Sequence, residues 1–424
     1  YPLLMNGPIG KRLLYLRSLL LAMESLRNGV TTFCDDFFDP PAHDLDRLGT
    51  VFQAYEDAGI RANVSSAVMN IHPLDALPYA REIMPRHLQD QLDFGPPVAA
   101  DAYIDYCKSA FSSLHGRAGR LNFMIAPSAP QRCTRELMLA CVDLAVDKGV
   151  PYHTHVLETK TQAVTGHEFY GKTLVAYMHD LGLLKRNTTF AHSVWVSDAD
   201  MAMMGAAGIS IAHNAVSNQK LGAGISPIRR LLDAGVTIGL GTDGVSSNDT
   251  SRIFDVMRVA GLVHSVSGPD YGKWVKAEEI LRMATIGGAR SAMLEDVTGS
   301  LEIGKAADLL ILNLNSYAFM PLNDVAKHLV YSENGSSIET VMVAGRAVVQ
   351  GGRSTTGDEG DIFAEINELM PAHLAEHAAL ERRNSAFEPV MAEIHRRATL
   401  QDVGLNRYQG DLPAFDGSNT GWHP

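Results

Sequence analysis

From Leu13 to Ser265 the chain repeats one unit: a short apolar strand, a polar turn, a helix and a closing glycine. Apolar residues at helical spacing mark 13–28, 50–58, 99–115, 134–148, 174–181, 197–207, 228–234 and 251–265. Gly29, Gly59, Gly149, Gly182, Gly208 and Gly235 serve as helix stops. Between the helices lie β-branched or apolar runs near 30, 60, 121, 151, 188, 209 and 236. Alternation at this spacing means parallel βα units. A doubly wound sheet and a closed (β/α)8 barrel both give it. Two features favour the barrel. Reactive residues fall at the C-terminal ends of several different strands, where barrel active sites lie. No GxGxxG or P-loop signature supports a nucleotide-binding sheet. The predicted fold is therefore α/β, a TIM-type barrel of which seven strands can be counted and the first is missing.

The barrel is expected over 1–298. From Gly299 the texture changes to a small β module over 299–353, with strands at Leu309–Leu312, 338–344 and 347–349 and a turn at Gly345. A C-terminal extension over 354–424 is helical and charged to about Leu400, then loop-rich. The polar excursion over 70–97 is too long for a plain connection and reads as a candidate active-site loop.

Charge and composition narrow the partners. Asp and Glu number 48 against 36 Lys and Arg, a formal charge of −12, which argues against nucleic acid and anionic membrane. Hydrophobic residues at 46% and charged ones at 20% suit a soluble globular protein. Cys34, Cys107, Cys133 and Cys141 form no CxxC pair and no dense framework, as expected of a reduced, cytoplasmic compartment. No apolar run reaches membrane-spanning length, and Tyr1-Pro2-Leu3-Leu4 is no signal peptide.

One stretch carries most of the chemistry, Pro151-Tyr-His-Thr-His-Val-Leu-Glu-Thr159. Strand alternation puts His153 and His155 on one face and Tyr152, Thr154 and Val156 on the other. Two imidazoles and Glu158 in so short a span make a metal and proton-transfer site; a strand with two satisfied core histidines is the competing reading. Other strand ends add His192, His213 and Asp243. Each has a plainer reading: an Asx turn for Asp243, a core histidine for His192, packing for His213. His72, His167 and His264 lack partners at useful spacing and read as solvated or structural. Asp35 and Asp36 read as structural, and Met201, Met203 and Met204 as core.

Taken in order, His153–Thr159, Ala191-His192, His213-Asn214 with Ser217-Asn218, Leu221-Gly222, Gly241–Gly244 and Gly304–Leu309 resemble the amidohydrolase superfamily. Within it they are most similar to the metal-dependent deaminase and chlorohydrolase branch, which includes methylthioadenosine, guanine and pterin deaminases and s-triazine hydrolases. The resemblance runs over about 13–352. It implies one divalent metal held by His155 and Asp243, zinc first, with iron or cobalt as alternatives. Such a metal lowers the pKa of bound water to about 7 and yields a hydroxide nucleophile. Asp243 would take the proton of that water, His192 would orient it or stabilise charge, and Glu158 would shuttle protons to the ring and leaving group. His213 and Asn218 would bind substrate. The implied reaction is hydrolytic deamination of an N-heterocycle. Loss of chloride or an alkylamine from a triazine-like substrate is one alternative; a non-catalytic scaffold is another. A homodimer is expected. In the family the first strand ends in H-x-H, yet no H-x-H precedes residue 153 here. Tyr1–Gly7 resembles the segment that follows that motif. The expectation is an upstream segment with the first barrel strand, strands of the β module and two further ligands.

Overall fold

The computed structural model describes residues 9–38, 43–92 and 96–410. The Tyr1–Gly7 stretch and the end of the loop-rich tail lie outside them. Seven parallel strands run in chain order: β1 (Thr32–Asp35), β2 (Arg61–Val64), β3 (Leu121–Phe123), β4 (Tyr152–Val156), β5 (Thr188–His192), β6 (Ser210–His213) and β7 (Thr237–Leu240). Thr32 lies opposite Arg61, and Ala62 opposite Leu121. Tyr152 faces Thr188, Thr189 faces Ser210, and Ser210 faces Thr237. A parallel bridge from Ile125 to Tyr152 joins the two halves, and the His153 amide donates to the Ile125 carbonyl at 2.9 Å. Among the described residues β1 and β7 share no ladder, so the series is open between them.

Local chemistry sets the helix ends. Thr134 and Thr159 accept from the backbone amides of Leu137 and Gln162, covering donors that the first turn leaves unpaired. Ser197 and Asp200 form a reciprocal capping box ahead of the helix Asp198–Ala207. That helix stops at Gly208, whose φ of 66° a side chain would disfavour. One continuous core lies between strands and helices, with Val64, Phe123, Tyr152, Phe190 and Ile211 fully buried.

After the barrel, β8 (Leu309–Leu312), β9 (Ile338–Val343), β10 (Arg346–Gln350) and β11 (Arg353–Ser354) form an antiparallel sheet in the order β11-β10-β9-β8. Ala344 and Gly345, at φ 49° and 79°, make the two-residue hairpin between β9 and β10. Arg61 at the start of β2 ties barrel to sheet. Its Nε donates to Asp308 Oδ2 at 2.7 Å and its Nη2 to Oδ1 at 3.1 Å, with side chains 5% and 0% exposed. Removing one partner leaves the other charge buried and unpaired. Arg61→Ala is therefore expected to lower unfolding free energy by about 3–5 kcal/mol, read from urea denaturation; a loss below about 1 kcal/mol would mean that solvent reaches the pair.

The excursion over 70–97 is not a free loop. Leu74, Ala80, Met84, Leu88 and Leu92 form a satellite core with Phe387 and Ile394. The latter belong to the C-terminal extension, built from the helices Glu359–Asn384 and Glu388–Leu400. The first of these helices buries no residue and is tethered by Arg12–Glu365 and Arg27–Glu359 ion pairs. No helix among the described residues is long and apolar enough to cross a membrane.

Candidate active site

Three strand ends, those of β4, β5 and β7, converge on one mouth. β4 alternates as its sequence requires: Tyr152, Thr154 and Val156 are buried, while His153 and His155 are half-buried on the opposite face. His155 stacks on His192 of β5 with ring centroids 5.5 Å apart. His192 Nε2 then lies 4.0 Å from Glu158 Oε1 and 3.9 Å from Asp243 Oδ2. The structure thus brings His155, Glu158, His192 and Asp243 together, from segments as far apart as β4 and β7.

Each group is held by a neighbour. His155 Nδ1 is 2.8 Å from the Ser128 carbonyl, which leaves Nε2 for the mouth. His192 Nδ1 is 2.8 Å from Asn218 Oδ1, so the proton sits on Nδ1 and Nε2 faces the two carboxylates. Asp243 accepts from the Gly244 amide at 2.6 Å and from the Ser217 hydroxyl. The Glu158 amide donates to Gln162 Oε1 at 2.7 Å, which fixes the turn after β4. Gly241 lets this packing happen, because a Cβ there would lie 2.2 Å from Asn214 Oδ1.

The backbone is strained at the same places. Leu157, His192, Ser193 and Asp243 adopt left-handed φ of 55°, 72°, 48° and 62° without being glycine. Such conformations cost about 1–3 kcal/mol each and persist where surrounding structure over-determines them, often at functional sites. Burial disfavours charge on the imidazoles: His155 is pushed below the ordinary histidine value, and His153 down to about 3, with the neighbouring histidines adding to the effect.

The donor chemistry suits a divalent cation. An imidazole whose second nitrogen is fixed by a carbonyl, beside a hydrogen-bonded carboxylate, is how metal ligands are usually oriented. Among the described residues no three His, Cys, Asp or Glu side chains are disposed to hold one ion together. His155 and Asp243 are of the donor types that a catalytic zinc takes from its three protein ligands, an imidazole and a carboxylate.

Two sequence-level candidates sit elsewhere in the site. Asn218 is buried and spends Oδ1 on His192, while its Nδ2 has no partner among the described residues. His213 is buried with Nε2 3.0 Å from His264 Nε2, and its Nδ1 has no hydrogen-bond partner among the described residues. His264, which spacing alone leaves without a partner, is buried here too. Asp36 also belongs at the site edge. Its Oδ2 is 3.8 Å from His155 Nδ1, and burial, then the charge of Asp35, pushes its carboxyl up to about 7. Its place at the end of β1 was the one sequence signal for it.

The His213–His264 pair has a pH consequence. Burial lowers His264 to about 4 and His213 well below its ordinary value. Unfolded, both imidazoles take protons below about pH 6.5. The unfolded chain therefore binds more protons in acid, and the stability from the neutral pair, full above about 6.5, is lost as pH falls toward 4. Urea midpoints are expected to drop between pH 7 and 5, with a shallower drop in His264→Phe. An equal drop in both would remove the pair as its source.

Comparison with known proteins bears on this geometry. Residues 8–348 match the family model for the amidohydrolase family. The chain belongs to the amidohydrolase family. It is 34% identical to a 5-methylthioadenosine/S-adenosylhomocysteine deaminase of Desulforudis audaxviator (strain MP104C) over 83% of this chain and 74% of that one. Identity to a 5'-deoxyadenosine deaminase of Methanopyrus kandleri is 32%, over 82% and 73%. The fold superposes on atrazine chlorohydrolase TrzN from Arthrobacter aurescens TC1, complexed with zinc, with a TM-score of 0.77. That match is 28% identical and covers 86% of this chain and 78% of the other. Amidohydrolase relatives therefore include both deaminases and a chlorohydrolase.

Proposed function

We propose that this amidohydrolase is a hydrolytic deaminase of an N-heterocycle, with 5′-modified adenosines as the first substrates to try. The observation that carries it is His192 Nε2 set between Glu158 and Asp243 at about equal distance, beside His155. Two carboxylates around one imidazole provide both a proton acceptor and a proton donor for one reaction. The reaction adds the oxygen of water to an amidine carbon, breaks its exocyclic C–N bond and releases ammonia.

His155 and Asp243 are the proposed ligands of a divalent cation, zinc first. When bound, that cation supplies Lewis acidity that brings water near a pKa of about 7. Asp243, steadied by Ser217 and Gly244, accepts the proton of the attacking water. His192, with its proton fixed on Nδ1 by Asn218, offers Nε2 to orient that water. Glu158 gives its proton to the ring nitrogen. The proton that Asp243 took from water passes through Glu158 to the departing amine. The hydroxyl proton of the collapsing adduct reloads Glu158, so that ammonia leaves with both carboxyl groups in their starting states. His213 and Asn218 are the proposed substrate contacts; Asn218 also holds His192 through Oδ1, which leaves its Nδ2 for the substrate.

Further ligands are proposed to come from an eighth strand with H-x-H, seated between β1 and β7. The open seam there and the two-ligand set support it. Cytoplasmic residence is proposed on the four free thiols, and a homodimer on the tethered outer helix Glu359–Asn384. Light scattering tests the latter.

The deciding assay is ammonia release from 5′-methylthioadenosine, S-adenosylhomocysteine and 5′-deoxyadenosine, with chloride release from a chlorotriazine in parallel. Ammonia from a nucleoside, abolished by chelation and restored by zinc, is the expected result. Chloride release alone would replace deamination by dechlorination; neither product from metal-replete protein would leave a scaffold.

A further inference from the structure

Beyond the helix Glu388–Leu400 the chain runs back over the barrel, outside the residues matched to the family. There Arg407 and Tyr408 meet the turn that carries His192. Arg407 donates from Nε to the Val194 carbonyl at 3.0 Å and from Nη2 to the Val196 carbonyl. The Ile225 amide donates to the Arg407 carbonyl at 2.8 Å. Tyr408 meets the buried Trp195 edge to face, with centroids 5.1 Å apart, and Trp195 Nε1 donates to the Ala223 carbonyl at 2.8 Å. The approach is close: a Cβ on Gly224 would lie 2.9 Å from the Arg407 carbonyl oxygen. This segment therefore clips the turn after β5 to the loop that follows Asn218, the residue holding His192 Nδ1.

The turn needs such a clip. His192 and Ser193 are two successive left-handed residues, neither of them glycine, and only surrounding structure keeps that backbone in place. The Val194 and Val196 carbonyls lie beyond the end of β5 and accept from Arg407. A guanidinium meets both as one rigid planar fork, whereas an ammonium on its flexible stem offers rotatable donors without that fixed geometry.

We propose that Arg407 is a positioning residue for catalysis: its guanidinium fixes the Val194–Val196 turn and, through it, the placement of His192 Nε2 between Glu158 and Asp243. This rests on the reading of His192 as a group acting in the deamination. A displacement of His192 by about 1 Å costs up to about 10²-fold in rate. The clip affects the chemical step first, because the guanidinium spends Nε and Nη2 on the Val194 and Val196 carbonyls of the turn that carries His192.

The test uses the zinc-loaded full chain with Arg407→Ala, Arg407→Lys and, as a control, His192→Ala, all assayed for ammonia release from 5′-methylthioadenosine. Arg407→Ala is expected to lower kcat about tenfold or more at nearly unchanged KM and zinc content, with partial recovery in low millimolar guanidinium. Arg407→Lys, which keeps the charge but not the fork, is expected to fall between wild type and Ala. If the alanine variant does not fold, the lysine variant decides alone. Wild-type kcat in either folded variant, with only the melting temperature reduced, would overturn the positioning role. Undiminished turnover in His192→Ala would instead overturn the reading on which it rests.

Discussion

Glu158→Gln is expected to lower kcat by about 10²–10⁴-fold, the range for removing one general acid–base group, while zinc content stays at the wild-type level. The geometry separates these two effects. Glu158 lies past the end of β4, its amide pinned by Gln162, and its Oε1 is 4.0 Å from His192 Nε2. His155 reaches the mouth from within the strand and is oriented by the Ser128 carbonyl. Glutamine keeps the shape and the hydrogen-bonding length of the side chain but can neither take nor give a proton. KM should change little, since the amide still fills the same space. Elemental analysis beside steady-state kinetics checks both halves. Zinc lost together with turnover would make Glu158 a ligand; near-normal turnover would remove it from the proton path.

What sequence could reveal here was local. The alternation in Tyr152–Val156 is written in five residues, and the structure keeps it residue by residue. Helix ends follow from caps such as Ser197 with Asp200 and stops such as Gly208, each a contact between near neighbours. The convergence of His155, Glu158, His192 and Asp243 was legible because parallel βα order places all strand C-termini at one end. What stayed hidden depends on contacts across the chain. His213 and His264 are 51 residues apart, and no spacing rule joins a strand end to a helix end. The excursion over 70–97 reads as a loop because its apolar partners, Phe387 and Ile394, come nearly 300 residues later. Arg407 gives no signal as one arginine in a polar tail; its meaning appears only when its fork meets Val194 and Val196. Asn218 shows a second use that its motif does not announce: its oxygen is taken by His192, while its Nδ2 has no partner among the described residues.

Asp243→Asn carries the larger penalty, because this side chain is asked to do two things. As a proposed ligand it supplies the only carboxylate beside His155 in the metal set; as a base it accepts the proton of water. Its two oxygens are already distinguished, Oδ1 by the Gly244 amide at 2.6 Å and Oδ2 by the Ser217 hydroxyl, 3.9 Å from His192 Nε2. Asparagine preserves the volume and one acceptor but removes the charge. The left-handed backbone at φ 62° tolerates Asn better than most residues, so folding should survive. Turnover is expected to fall by about 10⁴-fold or more, the upper end for losing a general base, with activation of water reduced in addition. Zinc content should fall as well. His155→Ala makes the comparison informative: it removes a donor and no base. Excess zinc should restore part of the activity of His155→Ala and none of that of Asp243→Asn. Recovery of both to the same level would reduce Asp243 to a ligand and leave the proton of water to another group.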